Sequence, residues 1–440
     1  MQNKYQKFIL FFIVGVICLT SSFYNNNWSV VEPSYYRFWE RNYERVVVAR
    51  LAQSRQHGMF SAGGLLGLAD LKDGKWDFNV DRQYDIYLTG EKFENYSAYK
   101  SHPGFQGFVV SIFDLLTDFT PAQNVEITRF SVAILSAMMI AAFAACLAVE
   151  FGWVSALLVL VFSASSEWMI LPASNAYWSL WAFYFPFAAS VFLLGNVAKK
   201  NKYSKKQVYG VLFLATLLKV LFTGFEMITT VLIMTTVPFV FYAINDRWGW
   251  KVFVERVFKL GSVLLAAVMS GMAVLAMQIA ANSGGIMGAV KYILNTFYKR
   301  AAGNPENYKD LLAESMRANV FTVLGKYLGI NAFNTQTQAL MWQAQYWQLV
   351  VIFIFFTIVF IVKYRIKKGL KMPNNGLALV IATWYSIIAP LSWYIIFKPT
   401  SYIHTFLFPM AWQMPFVLMG FALCGYVIQD FFRAAQEERP

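Results

Sequence analysis

Apolar runs close to membrane-crossing length recur along most of this chain, and they leave it few folds to choose from. They are 8–23, 130–149, 154–170, 178–197, 208–223, 226–244, 259–281, 346–363, 376–397 and 405–428. A helix needs about 20 apolar residues to cross the hydrocarbon core. Backbone polar groups in lipid must be satisfied inside their own segment, so helices are the expected element. The expected fold class is all-α, a polytopic membrane protein of about 10 transmembrane helices. Composition agrees: 58% of residues are hydrophobic and 14% charged, where soluble domains run near about a quarter charged.

The net charge of +13 would suggest nucleic acid in a soluble protein. Here the excess sits in short loops between apolar runs. One set of loops carries Lys199, Lys200, Lys205 and Lys206, then Arg247, Lys251, Arg256 and Lys259, then Lys363, Arg365, Lys367 and Lys371. Lys4 and Lys7 lie on the same side, as do Arg433 and Arg439 if ten spans are counted. Basic loops stay cytoplasmic. Both termini are therefore expected in the cytoplasm, in a plasma membrane of the bacterial inner-membrane kind. Membrane lipids, not nucleic acid, are the expected surroundings. Cys18, Cys146 and Cys424 all fall inside apolar runs with no metal-binding spacing, and read as small membrane-core residues.

The expected organisation is an anchor over 1–23, an extracytoplasmic loop over 24–128, a transmembrane bundle over 129–281, a second outer loop over 282–345, and C-terminal helices with a short tail over 346–440. The first loop is rich in Arg, Asp, Glu, Tyr and His. From Ser34 to Gln56, Phe38, Val46, Val47 and Leu51 recur at helical spacing among Arg37, Arg41, Arg45 and Arg50. That pattern predicts a helix at the membrane interface with its arginines reaching lipid headgroups. A second interfacial helix is expected over 107–119.

Several residues on the outer side could carry chemistry. Glu40 and Glu44 are four apart and share one helix face. Either could take a proton from an attacking hydroxyl, or simply pair with a neighbouring arginine. His57, His102 and His404 all fall outside, where imidazole can donate to a phosphate or fill a structural role. Lys219 and Glu226 sit near the outer ends of adjacent spans, where a buried ionisable group faces a cavity or a partner. Arg129, Lys299 and Arg300 could each hold a phosphate or anchor to headgroups. The chain contains no P-loop, no H-E-x-x-H and no G-x-S-x-G, which removes support for ATP-driven transport and for zinc or serine hydrolysis.

One anchor helix, a long outer loop opening in an acidic helix, a second interfacial helix and then many spans: this layout resembles the GT-C glycosyltransferases. The stretch ERNYERVVVARLAQSRQHG is similar to the acidic run of that superfamily, with Glu44 or Glu40 in the acidic place. It departs in having neither an adjacent pair nor an Asp. SHPGFQG resembles a His-Pro motif of some members through His102 and Pro103, and departs at Gly104. Arg129 matches the arginine that often opens the following span.

The resemblance implies a membrane glycosyltransferase. It would move a sugar from a polyprenyl-phosphate donor to a glycan, lipid or protein acceptor outside the cytoplasm, inverting the anomeric centre. Glu44 or Glu40 would be the base. His102, Arg129, Lys219, Lys299, Arg300 and His404 would be the candidates for holding the donor phosphate. No cofactor is implied, and a divalent metal is left open. The rival expectations are an O-antigen-type polymerase or ligase, a transporter or flippase of lipid-linked glycan intermediates, and a non-enzymatic assembly factor. Cysteines placed at Ser97 and Asn304 are expected to react with an impermeant thiol reagent in intact spheroplasts; reaction only after lysis would reverse the topology.

Overall fold

The computed structural model describes residues 2–70, 80–195, 203–283, 285–337, 340–366 and 372–437. Lys199, Lys200, Lys367, Lys371 and Arg439 of the charge pattern lie outside them. Helix α1 (Gln2–Asn25) runs along α5 (Pro121–Glu150), with three helices of the first loop between them in sequence: α2 (Pro33–His57), α3 (Asp81–Thr89) and α4 (Phe105–Leu116). A short antiparallel pair, β1 (Gly67–Ala69) with β2 (Tyr96–Ala98), ties the same loop together. The α1–α5 contact is close because both helices present small residues. A Cβ added at Gly15 would lie 2.9 Å from that of Ala141. A Thr120–Gln123 capping box opens α5, satisfying amides that the first turn leaves without partners.

After α5 come α6 (Trp153–Ala164), α7 (Glu167–Ala173), α8 (Leu180–Leu194), α9 (Lys205–Thr223), α10 (Ile228–Asn245) and the long α11 (Trp250–Ser283). The region after α11 holds α12 (Ile286–Ala301), α13 (Asp310–Arg317), α14 (Val320–Leu328) and a hairpin of β3 (Asn331–Thr337) and β4 (Leu340–Gln345). The chain ends with α15 (Tyr346–Ile366), α16 (Asn374–Ile396), α17 (Lys398–Ile403) and α18 (Met410–Arg433).

Among the described residues eight helices are long and apolar enough to cross a membrane: α1, α5, α9, α10, α11, α15, α16 and α18. The pair α6–α7 makes nine if it counts as one broken span, bent by 69°. The sequence reading expects about 10. The difference lies in α8, which has only 15 residues. At 1.5 Å per residue that is about 22 Å, short of about 30 Å of hydrocarbon. Its apolar content instead serves the core, where Phe183, Tyr184 and Phe187 are buried. The peripheral helices keep apolar faces outward, as Ile13 and Ile17 of α1 and Phe355 and Ile358 of α15 show. Helix α18 occupies the interior, with Phe416, Leu418, Ala422 and Val427 all buried.

Helix α2 forms where the spacing predicts, and much of it packs against the rest of the protein. Twelve of its residues are buried, including Arg45 and Arg50. The Arg50 guanidinium donates to the carbonyls of Ser61, Met59 and Gly58 rather than to headgroups, closing the turn after the helix. Arg37 and Arg41 on its first turns and Arg55 on its last stay toward solvent, Arg41 pairing with Asp81. Helix α4 docks on α2 through Asp114, which is 4% exposed. Its carboxylate accepts both forks of Arg55, at 2.7 and 2.8 Å, and hydrogen bonds from Tyr87 and Asn124. Removing it leaves four donor groups on three side chains unpaired. Asp114→Ala is expected to cost about 2–4 kcal/mol and to lower the melting temperature in detergent, a shift that an unchanged melt would refute.

Candidate functional site

The C-terminal end of α9 sets the geometry of the site. Lys219 lies in its last turns, fully buried, and its ammonium donates to the backbone carbonyls of Gly224 at 2.7 Å and Glu226 at 2.6 Å. The ring of Phe183 sits 4.9 Å from Nζ and covers its other side. The turn requires glycine at 224, where φ is +60° and any Cβ would run into His102. Lys219 therefore holds the backbone of the turn, not the Glu226 carboxylate. That carboxylate belongs to Arg300 of α12, 2.7 Å away.

Glu226, Arg300 and His404 line one cleft of about 330 Å³, together with Arg45 of α2, Tyr99 and Tyr177. Burial raises the Glu226 carboxyl, but Arg300, helped by the two histidines, holds it below its ordinary range. The same attraction from Glu226 raises the Arg300 guanidinium further. His102 is buried behind the cleft, against Tyr99 and Tyr177. Its Nδ1 accepts from the backbone N–H of Gly104 at 3.1 Å. Burial pushes the imidazole down to about 4, with Glu226 opposing and Arg300 and Lys219 reinforcing, so it is neutral at neutral pH. His404 points Nδ1 at the Thr400 carbonyl, 2.9 Å away. That contact makes Nδ1 the donor and leaves Nε2 for the cleft.

A second cleft of about 300 Å³ adjoins this one through Arg300. Its walls are apolar: Phe225, Ile228, Met272, Leu275, Phe297 and Trp393. Arg300 thus stands at the junction of a polar and an apolar space, which suits an amphiphile with an anionic joint.

The first-loop glutamates form a separate group around Arg129. Glu44 is 1% exposed. It accepts from Arg129 Nε at 2.8 Å, from the Tyr84 hydroxyl at 2.8 Å and from the Ala176 amide at 3.3 Å. Arg129 also reaches Glu40 at 3.2 Å and Glu126 at 3.0 Å. Glu40, Glu126 and Arg129 border an open cleft of about 510 Å³ on this side of α2. Lys299 joins neither group; its ammonium lies 5.6 Å from the ring of Tyr308. The structure therefore brings together His102, Lys219, Arg300 and His404, and sets Glu40, Glu44 and Arg129 apart. The carboxylate of the first group is Glu226, which the sequence offers only as a partner for Lys219. Tyr84 was not singled out at all, since a tyrosine in a polar loop carries no distinguishing signal. Among the described residues no three His, Cys, Asp or Glu side chains gather as a metal site would require. Comparison of the chain with protein-family models, curated proteins and solved structures gave no match.

Burial pushes the Glu40 carboxyl up to about 7, with Arg129 opposing and Glu44 and Glu126 adding. Its ionised form is therefore disfavoured in the fold. The resulting penalty is absent below about 4.5, grows as pH rises, and is complete above about 7. Glu40→Gln is expected to flatten the fall in thermal stability across that interval, measured by melts at stepped pH; the same slope in both proteins would refute the assignment.

Proposed function

We propose that this chain is a membrane glycosyltransferase of the GT-C kind, taking a sugar from a polyprenyl-phosphate donor to an acceptor hydroxyl outside the cytoplasm. The observation that carries the reading is Arg300, shared by a polar cleft and an apolar one. The lipid tail enters the apolar side, its phosphate meets Arg300, and the sugar occupies the polar side. Confinement of the tail to the bilayer orders the donor against the site.

Glu226 is the base in this reading. The acceptor oxygen attacks the anomeric carbon, the bond from that carbon to the phosphate oxygen breaks, and its electron pair stays with the leaving polyprenyl phosphate. The hydroxyl proton passes to Glu226. Guanidinium has five donors in a fixed fork. The arriving phosphate therefore competes for Arg300 and frees the Glu226 carboxylate for proton transfer. Charge grows on the phosphate in the transition state, where Arg300 and His404 act most strongly. Glu40 and Glu44, held by Arg129, position α2 along the polar cleft.

The test is transfer from a polyprenyl-phosphate sugar in proteoliposomes. Arg300→Gln and Glu226→Gln are each expected to lose about a hundredfold or more in kcat, and Glu44→Gln to keep its rate per folded molecule. Loss in Glu44→Gln with full activity in Glu226→Gln would return the base to the first loop. Failure of the folded protein to use any such donor would end the reading.

A further inference from the structure

A fourth cleft lies at the opposite ends of α9 and α10 from Glu226. The 19 residues of α9 separate the two, about 28 Å along the helix. This cleft holds about 350 Å³ and is built from the end of α8, the starts of α9 and α11, and the end of α10. Leu193, Leu194, Val208 and Phe239 supply its apolar lining, beside Tyr203 and Tyr242. Its rim is basic and aromatic. The Arg256 guanidinium stacks on the indole of Trp248, 3.9 Å from the ring centroid, which fixes its plane over the opening. Lys205 lines the same rim. It stands 3.8 Å from Glu255, a carboxylate already held by Lys259 at 2.5 Å. The Tyr209 hydroxyl donates to the backbone carbonyl of Arg256 at 3.4 Å. Asp246 is the acidic side chain on this rim. Farther along α9, Val211 and Leu214 are exposed apolar residues, as a lipid-facing helix shows.

We propose that this cleft binds the headgroup of an anionic phospholipid, independently of the outer site. A soluble anion would need only the cations. Apolar side chains beside a stacked arginine, at the end of membrane-length helices, add a place for the glycerol and the first acyl carbons. The phosphate meets Arg256 and Lys205, and the chain runs down past Val208 and Phe239. A basic pocket between helix ends is the form that headgroup recognition takes when it must select charge rather than shape.

The test is native mass spectrometry of the full-length protein released from nanodiscs of mixed phosphatidylglycerol and phosphatidylcholine. Retained adducts are expected to be phosphatidylglycerol. Two cations near the surface amount to about a thirtyfold preference. The Lys205→Gln, Arg256→Gln double variant is expected to lose that preference, and Arg256→Lys to keep part of it, with melting temperature reporting that each is folded. Equal retention of the two lipids, or an unaltered preference in a folded double variant, would overturn the proposal. So would full displacement of the adduct by millimolar inorganic phosphate, which would make the ligand a free anion.

Discussion

The half of the molecule around Glu226 is organised by one buried ammonium. A lysine inside the end of a membrane-length helix is costly unless its charge is met. Lys219 meets it with two carbonyls of the turn that follows and with the face of Phe183. Those contacts decide which way the turn faces, and the turn decides where the Glu226 carboxylate goes. Arg300 then has a fixed partner, and α12 has a fixed seat beside α11 and α17. Without Lys219, Gly224 would have no reason to hold its left-handed conformation against His102, and the polar cleft would lose one wall.

The same logic governs α2. A helix with an arginine or glutamate in nearly every turn is an odd choice for the inside of a protein. It is tolerated because each buried charge has a specific mate. Glu44 has Arg129, Tyr84 and the Ala176 amide. Arg50 has three carbonyls, and Arg55 has Asp114. Removing one partner of such a pair leaves the other charge buried and unmet, so the first loop is bound to the bundle more firmly than its polarity suggests.

How much could be read in advance follows from the range of each interaction. The long helices announce themselves through local hydropathy, and Phe38, Val46, Val47 and Leu51 were enough to place α2. Its burial was not legible, because Tyr84, Asp114 and Arg129 come to it from far along the chain. Lys219 and Glu226 were recognisable as a group from adjacent helix ends. Their true relation depends on the backbone at Gly224, and a spacing of residues does not reveal which atom of a turn faces an ammonium. Arg300 lies 74 positions from Glu226, beyond any local pattern. The shortfall in spans has a similar origin: α8 is as apolar as its neighbours, and only its length and its packed aromatic side chains mark it as interior.

Helix α11 has 34 residues, a rod of about 51 Å against a hydrocarbon layer of about 30 Å. The surplus must lean across the bilayer or stand above it. Because the rod leads directly into α12, its tilt carries Arg300 with it. How far the rod leans therefore sets how high that guanidinium stands over the hydrocarbon.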